Sequence, residues 1–427
     1  MHVFLNIPNS TLLTTQAGRA RMAGALALAA SLAACGGSTS SVVAPPPPPA
    51  PAPAPAPTQA QLDEGKQIFR FDTFGDDRKW TDELRLNEAI EKVDPLTALA
   101  VGLKVDVDAL PPEVVKGIVD KSISLTSTDT TMALIKLNAL IGVKGTVELV
   151  DGKQRLTRVG LTCALCHSTV DDSFVHGVGK RLDGWANRDL NPGAIATLSP
   201  TMSAAEKLIY NSWGPGKFDT RYVMDGKNTP QVIPPAYGLQ GINKITFAGD
   251  GDELAYWNSL VAVVELGGQG HFKDARINLD VTHGSQDLVT SKLQTLAYYQ
   301  LSIPAPTPKA GSFDVAAADR GKAIFNGKAN CASCHSGASF TDANLRLHPA
   351  SDSMGEPEPN GGVAFSTRSA TKQYRTTPLK GIWQHAPYFH NGSAATLDDV
   401  VQRYNTRQSL KLTTAEMADL VQFLKSI

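Results

Sequence analysis

Two short segments of the chain combine two cysteines and a histidine in the same order and spacing. They are Cys163-Ala164-Leu165-Cys166-His167 and Cys331-Ala332-Ser333-Cys334-His335. In such a segment the two thiols can add to the vinyl groups of a heme, and the adjacent imidazole can ligate its iron. The two cysteine pairs could also form one zinc site or a redox dithiol, but either would leave both histidines unexplained. The spacing therefore predicts two covalently bound heme c groups, with His167 and His335 as iron ligands.

The fifth cysteine, Cys35, stands in a different setting near the start of the chain. Arg19 and Arg21 precede an apolar run, residues 22–34, which ends Leu-Ala-Ala and is too short to span a membrane. This pattern resembles a bacterial lipobox, in which the cysteine is lipidated and becomes the new N-terminus. The alternative is an ordinary signal peptide with a cysteine at its cleavage site. We expect residues 1–34 to be a lipoprotein signal peptide and Cys35 to carry a lipid anchor.

This anchor sets the expected location of the protein. A lipoprotein with such a signal faces the periplasm of a Gram-negative bacterium, and a glycine rather than an aspartate at position 36 favours the outer membrane. Residues 35–57 follow as a tether, in which residues 45–57 include nine prolines and four alanines. Such a run adopts an extended polyproline II helix of about 40 Å. The tether is therefore expected to hold a folded body away from the membrane.

The composition of the chain excludes several classes of protein. Its 427 residues include 40 Lys and Arg against 41 Asp and Glu, so a nucleic-acid partner, which requires a basic surface, is not expected. The hydrophobic fraction of 42% supplies a sizeable core and excludes a mostly disordered chain. Five cysteines are too few for a disulfide scaffold. Beyond the signal peptide no apolar stretch is long enough to cross a bilayer, so membrane contact is expected through the lipid anchor alone.

The elements that lead to the first motif are expected to be helices and one hairpin. Residues 61–69 have a helical pattern, and residues 131–141 are apolar enough for a mostly buried helix. Residues 147–150 and 156–159 flank an Asp-Gly pair, which is typical of a hairpin turn. This hairpin would run directly into the first motif.

The C-terminal part of the chain, residues 312–427, has the size of a single cytochrome c domain. Three of its helices are predicted from their cap residues, which are Asp314, Thr396 and Thr413. The proline-rich stretch before this part is typical of a linker. Residues 58–305 are therefore predicted to form an N-terminal heme domain. We therefore predict a mainly α fold of two tandem cytochrome c-type heme domains with long loops, the first of them extended.

Two stretches of the C-terminal part carry a family signature. Residues 374–381 read Tyr-Arg-Thr-Thr-Pro-Leu-Lys-Gly, and residues 386–397 read Ala-Pro-Tyr-Phe-His-Asn-Gly-Ser-Ala-Ala-Thr-Leu. They closely resemble the C-terminal signature of bacterial di-heme cytochrome c peroxidases, a superfamily that includes MauG and, more distantly, the di-heme rubber oxygenases. The match is specific over residues 312–427 and looser over residues 160–195. The preceding region departs from the peroxidase pattern, because a long segment separates the first predicted helix from Cys163.

The resemblance implies that peroxide reacts at the N-terminal heme and that the C-terminal heme relays electrons. Family peroxidases often close the first iron with a histidine shortly after the motif. Lys180 occupies that place here, with His176 nearby, so the resemblance implies an open iron, as in MauG. The family's distal glutamate stretch is absent, and Glu265, followed by Gln269 and His271, is the best remaining acid–base candidate. Glu265 follows an apolar run, where burial would raise its pKa; a solvated helix-end glutamate is the alternative.

In the peroxidases the far ligand of the second heme is a methionine on the helix after the Pro-Tyr-Phe-His segment. Counting along from His390, the matching position is Tyr404, and MauG likewise has a tyrosine there. Helical spacing places Tyr404 on one face with Leu397 and Val401, as expected of a ligand and equally of a core tyrosine. His390, which would give a bis-histidine iron, and Met354 are the alternative ligands.

The resemblance also implies a calcium ion between the two hemes, held largely by backbone carbonyls and by an Asn or Asp. Asp189 is the candidate side chain for that site. Trp185, soon after the first motif, could relay electrons between the hemes or simply pack in the core.

These residues and the resemblance predict a lipid-anchored, periplasm-facing di-heme c-type oxidoreductase, which is a peroxidase-type enzyme. Its oxidant would be H₂O₂ or O₂, and its electrons would come from a redox protein or a small-molecule donor. The alternatives are a non-catalytic electron-transfer cytochrome with both irons six-coordinate, and a dioxygen-dependent oxygenase like the rubber-cleaving relatives. A high-spin ferric component in the resting spectrum would separate an enzyme from a carrier.

Overall fold

The computed structural model describes residues 56–251, 253–358 and 363–427. The predicted signal peptide, the lipidated Cys35 and nearly all of the tether therefore lie outside the described residues. Within the described ranges no helix is long and apolar enough to cross a membrane. The chain from Ala56 to Ile427 packs as one unit. The boundary between the two predicted heme domains stays a prediction.

Short helices and two-stranded sheets alternate in the region up to residue 302. The helices are α1 Gln59–Phe71, α2 Leu86–Ile90, α3 Pro95–Ala100, α4 Pro112–Val119, α5 Thr128–Lys136, α6 Ala164–His167, α7 Pro192–Ala196, α8 Ala204–Asn211, α9 Tyr222–Asp225, α10 Leu254–Leu260 and α11 Leu293–Ser302. The strands are β1 Val105–Asp106, β2 Val143–Val150, β3 Lys153–Leu161, β4 Ser168–Val170, β5 Val178–Gly179, β6 Arg181–Asp183, β7 Lys217–Phe218, β8 Gln231–Val232, β9 Gly270–Asp274 and β10 Leu279–His283. β1 pairs with β5 in parallel, whereas β2–β3, β4–β6, β7–β8 and β9–β10 are antiparallel pairs.

The first predicted helix is confirmed as α1, which is slightly longer than its pattern indicated. The Thr58 hydroxyl accepts a hydrogen bond from the Gln61 backbone NH, and the Gln61 side chain accepts one from the Thr58 NH, so a capping box fixes its start. Ile68 and Phe69 are buried in one cluster with residues of α10 and α11. Helix α1 therefore forms one wall of the core beneath the first motif.

The predicted hairpin is confirmed and extends over β2 and β3. Leu156 and Val159 are each 1% exposed and belong to the core cluster around the first motif. The register shifts between Thr146 and Val147, so a bulge bends the hairpin there. Because β3 ends at Leu161, the hairpin delivers the chain directly to Cys163.

The helix predicted over residues 131–141 ends earlier than expected, at Lys136. Asn138 has a φ of 54°, a left-handed conformation that asparagine tolerates and that stops the helix. Leu140 and Ile141 remain buried beyond that turn, at 4% and 2% exposure. The apolar pattern therefore predicted burial correctly over its whole length, but it predicted a helix correctly only up to Lys136.

The C-terminal part contains three further helices at the predicted caps. They are α12 Val315–Asn326, α13 Leu397–Arg407 and α14 Thr414–Lys425. Asp314 caps α12 by accepting a hydrogen bond from the Ala317 NH, and capping boxes at Thr396 and Thr413 begin the other two. Residues of the three helices share one buried cluster, with Phe325 and Phe423 in ring contact. Helices carry more of the described chain than strands, which confirms the mainly α class.

Candidate functional site

The first Cys-x-x-Cys-His segment occupies the short turn of helix α6 that follows the hairpin. The Thr162 NH donates to the carbonyl of Gly142, and the Thr162 hydroxyl donates to the carbonyl of Arg70. Gly142, at a φ of 81°, lies so close to Leu165 that a Cβ would collide with its backbone. The hairpin and α1 therefore fix the motif through its backbone on both sides.

The motif histidines are held in the same way at both sites. The His167 Nδ1 lies 3.1 Å from the carbonyl oxygen of Pro234, and the His335 Nδ1 lies 3.1 Å from that of Phe340. Burial lowers the pKa of His167 to about 4 and lowers that of His335, so both imidazoles are neutral. A carbonyl on Nδ1 fixes the tautomer that leaves Nε2 for a metal. Both histidines therefore fit heme iron.

The four motif cysteines do not support the alternatives of one zinc site or a dithiol. All four are free thiols, and no set of His, Cys, Asp or Glu ligand atoms in the described ranges brings the two pairs together. Burial raises the pKa of Cys163 and Cys166 to about 12, which is the opposite of a reactive dithiol. Two separate heme attachment segments explain the cysteines better.

Glu265 lies at the edge of the core next to the first motif. It ends a π-helical turn, Val261–Glu265, that continues helix α10, and its exposed fraction is 5%. Neither carboxyl oxygen has a hydrogen-bond partner among the described residues. Burial raises its pKa well above the ordinary value, and its charge acts on the Cys166 thiol. The expected buried glutamate is therefore present, and the solvated helix end is not.

The two polar residues predicted to act with Glu265 lie in other surroundings. His271 is on an outward position of strand β9, and its Nε2 lies 2.8 Å from the carboxylate of Asp280 at the surface. The Gln269 side chain packs beside Gly75 and Gly284. The structure describes no hydrogen bond from either side chain to Glu265. Glu265 is therefore buried near the first motif without either of these two side chains as a partner. The catalytic roles of Gln269 and His271 stay predictions.

Two charged residues of the segment after α1 approach the same place and were missed by the sequence analysis. The Lys79 Nζ donates to the backbone carbonyl of Glu265 at 2.5 Å. Asp76, which is 0% exposed, accepts hydrogen bonds from the Trp80 Nε1 and the Leu161 NH. Their only signal in the sequence is a polar run, which is also typical of a solvated loop.

The second motif borders a cavity of about 610 Å³, within the range of cofactor pockets. Its walls include the motif itself, the predicted inward face of α13 and the signature stretches. The lining residues used below are Cys331, Cys334, His335, Tyr404, His390, Met354, Arg188, Arg375, Pro234, Tyr237 and His385. The predicted face of α13 is confirmed, because Leu397, Val400 and Val401 line the cavity together with Tyr404.

Two buried guanidinium groups show that this cavity fits an anionic, mostly apolar cofactor. The Nε atoms of Arg188 and Arg375 are buried and have no hydrogen-bond partner among the described residues. Burial lowers the pKa of each to about 10. An unpaired N–H donor on a buried charged group is costly, and the two propionates of a heme would supply acceptors for these two donors. Cys331 and Cys334 would attach such a heme, and His335 would ligate it.

The three candidate far ligands of the second iron all line the cavity, but they differ in their partners. The His390 Nε2 is hydrogen-bonded to Glu358 and lies 3.3 Å from the Tyr374 hydroxyl. Burial raises the pKa of Tyr404, so its hydroxyl is protonated in the heme-free pocket, and no described residue forms a hydrogen bond with that hydroxyl. Met354 is 5% exposed. His390 is therefore engaged by Glu358, whereas the Tyr404 hydroxyl has no hydrogen-bond partner among the described residues, and the choice of ligand stays a prediction.

A loop of residues 232–237, called the shared loop below, contacts both sites. Its Pro234 carbonyl holds His167 of the first motif, while Pro234 and Tyr237 line the second cavity. The Val232 NH donates to the His390 carbonyl at 2.9 Å. The Tyr237 hydroxyl lies 3.1 Å from the His385 Nδ1. The two sites are therefore joined through one stretch of backbone.

The structure places the predicted calcium ligand, Asp189, at a half-exposed position. Its carboxylate pairs with the buried ammonium of Lys104. The calcium site therefore stays a prediction. The neighbouring Arg188 donates to the carbonyl of Pro387 at 3.3 Å. A cationic side chain therefore already contacts the signature stretch at this point.

Comparison with known proteins agrees with the signature. Residues 373–410 match the RoxA-like, cytochrome c-like family model. The cytochrome c peroxidase IdrP1 of Denitromonas iodatirespirans is 26% identical over 312 residues, which cover 58% of this chain and 80% of the relative. The methylamine utilization protein MauG of Methylorubrum extorquens is 31% identical over 155 residues, which cover 33% of this chain and 43% of the relative.

The similarity to a solved structure of a di-heme peroxidase is weaker. A variant of the di-heme peroxidase BthA from Burkholderia thailandensis is 16% identical, with a TM-score of 0.32 over 53% of this chain and 77% of that one. A similarity of this degree adds no argument, and the alignment to MauG spans less than half of that relative. The sequence relatives and the family model carry the assignment. The chain is similar to di-heme cytochrome c peroxidases and MauG proteins, and these relatives support an oxidoreductase of the peroxidase type.

Proposed function

We propose that the chain binds two heme c groups, reduces peroxide at the first motif and receives electrons through the second. The observation that carries this assignment is an asymmetry between two otherwise similar motifs. A buried carboxyl without hydrogen-bond partners, Glu265, lies beside the first motif. Two buried carboxyls near the second site, Asp342 and Glu358, are instead paired with Arg346 and His390. A group that can move a proton is therefore available at the first site.

A heme bound at the first motif would supply the redox-active iron. Reduction of one H₂O₂ to two waters consumes two electrons and two protons. A base that accepts a proton from the oxygen nearer the iron and returns it to the departing oxygen lowers the barrier to O–O cleavage. Glu265 suits this exchange because burial raises its pKa well above that of an exposed carboxyl. The carboxyl also needs no rearrangement of hydrogen bonds before it acts.

The first iron is proposed to keep an open position for peroxide. Lys180 is exposed, and the His176 side chain is 77% exposed and bonded to Asp172 at 3.2 Å. Both side chains therefore face solvent. This supports an open site of the MauG type.

Electrons are proposed to pass from the second site to the first through aromatic side chains. Trp185 follows the first motif and contacts Tyr237, with ring centroids 6.4 Å apart. The Tyr237 ring in turn reaches His385 at the second cavity, also at 6.4 Å. The electron donor outside the protein is proposed to be a redox protein or a small molecule.

The second iron is proposed to be ligated by His335 and Tyr404. This proposal is supported by the lack of a hydrogen bond to the Tyr404 hydroxyl in the described part of the chain and by the engagement of His390 with Glu358. A phenolate ligand stabilises ferric and higher states. The second heme could then share an oxidising equivalent with the first.

We also propose that the protein is anchored by a lipid on Cys35 and faces the periplasm. The signal-like run, the lipobox pattern and the proline-rich tether support this. The wild type should partition into detergent, whereas Cys35→Ser should be a soluble protein that still carries heme. A wild type found free in the periplasmic fraction would contradict the anchor.

The test of the activity is peroxide-driven turnover by the purified protein with a panel of reduced donors. We expect consumption of H₂O₂ in proportion to donor oxidation, and a high-spin ferric component in the resting spectrum. Purely low-spin bands and no turnover would identify an electron carrier. Turnover of a substrate with O₂ alone would identify an oxygenase instead.

A further inference from the structure

Lys79 lies in the π-helical turn Arg78–Glu83, outside both motifs and outside the family signature. Its Nζ donates to the backbone carbonyl of Glu265 at 2.5 Å. Gly267 makes room for it, since a Cβ there would lie 2.5 Å from the Lys79 Cδ. The ammonium also lies 5.2 Å from the centre of the Trp80 ring. Lys79 therefore bonds to the end of the helix that carries the Glu265 carboxyl.

No carboxylate lies within salt-bridge distance of Lys79 in the described part of the chain. Its charge interacts most strongly with Glu265 and next with Asp76. Burial lowers the pKa of Lys79, and these two acids oppose that effect. The Oδ1 of Asp76 is buried without a partner, and burial raises the pKa of Asp76 to about 8. One half-buried cation thus interacts with two buried acids near the first motif.

The other cations whose charge acts on Glu265 have carboxylate partners of their own. Arg221 pairs with Asp250, and Arg368 pairs with Asp219. Other titratable groups border the site: Tyr210, whose pKa Glu265 helps to raise, the Cys166 thiol, and His283, which faces Lys79 and Arg78. Lys79 is the cation with the strongest influence on the Glu265 carboxyl.

We propose that Lys79 is a positioning residue for Glu265, which holds the helix end in place and keeps part of the carboxyl population ionised so that it can accept a proton. This inference rests on the proposed peroxide reaction. An ammonium favours the charged form of a nearby carboxyl. Removal of the charge should therefore move the ionisation of Glu265 to higher pH, and a base that must be ionised then works only at higher pH.

The test compares Lys79→Met with Lys79→Arg in the heme-loaded protein, with Lys92→Met as the control at an exposed lysine. Two pH profiles are measured, the rate of peroxide reduction and the rate of cyanide binding to the ferric protein. We expect the acidic limb of both profiles to move up by about one pH unit in Lys79→Met, a tenfold loss of rate below that limb. In Lys79→Arg and Lys92→Met the acidic limb of both profiles should stay within a few tenths of a pH unit of the wild type.

An unchanged acidic limb in Lys79→Met, or an equal shift in Lys92→Met, would overturn the proposal. If Lys79→Met does not fold with its full heme content, Lys79→Gln takes its place under the same criteria. If the wild type does not reduce peroxide at all, the proposed function fails. The cyanide profile still decides the role of Lys79 in that case, because cyanide binding needs no turnover.

Discussion

At the scale of single residues, the predictions depend on Glu265 and Tyr404, whose side-chain oxygens form no hydrogen bond with any described residue. Both could be selected from the sequence, Glu265 because it ends an apolar run and Tyr404 by counting along the family signature. Their lack of hydrogen bonds could not be predicted, because it depends on which distant residues approach them. The same holds for Lys79, whose contact with Glu265 joins residues far apart in the sequence.

Replacement of Glu265 by Gln should remove the acid–base group while keeping the shape of the side chain. We expect peroxide reduction to fall by about 10² to 10⁴ fold and to lose its acidic limb, since an amide cannot exchange the proton. Glu253→Gln, at an exposed position before helix α10, is the matched control. Rapid mixing of the fully reduced protein with peroxide measures the step. Wild-type rates in Glu265→Gln would remove Glu265 from the mechanism.

Replacement of Tyr404 by Phe should change the second heme alone. Loss of the phenolate should convert that heme from low-spin to high-spin, or let a nearby histidine bind the iron, and should raise its reduction potential. Absorption spectra and a redox titration measure both effects, with Tyr298→Phe as a control at a tyrosine that does not line the cavity. An unchanged spectrum and potential would show that Tyr404 only packs in the core.

At the scale of elements, the sequence predicted structure reliably where hydrogen bonds between residues close in the sequence determine it. The caps at Asp314, Thr396 and Thr413 and the hairpin before the first motif are all present. The helix over residues 131–141 was wrong in its second half, because an apolar pattern cannot distinguish a buried helix from buried extended chain. The shared loop, residues 232–237, has no regular pattern and was expected only as loop.

The contact between the hairpin and the first motif gives a test at this scale. Gly142→Ala should displace helix α6, because the new Cβ would collide with the Leu165 backbone. We expect less heme at the first motif, measured as acid-stable heme per chain. Gly152→Ala is a matched control, since Gly152 has a similar φ of 75° but nothing within 4 Å of the added Cβ. Equal loss in both variants would mean that backbone strain, not the collision, causes the effect.

At the scale of the whole molecule, the prediction is two covalent hemes with separate roles. Replacement of Cys163 and Cys166 by Ala should remove half of the acid-stable heme and abolish peroxide reactivity. Replacement of Cys331 and Cys334 should remove the other half and slow re-reduction instead. Heme staining of denatured protein, with iron content per chain, measures both. Loss of all wild-type heme to acidic organic solvent would contradict covalent attachment.

The shared loop has a consequence for how this protein could be divided. Its Pro234 and Tyr237, together with Arg188, belong to the N-terminal part of the chain but form walls of the second cavity. A fragment of residues 312–427 would therefore leave the apolar face of its heme open to water on that side. Heme potentials fall as water approaches the iron. We therefore expect a fusion that transplants the C-terminal part alone to have a lower heme potential than the intact chain.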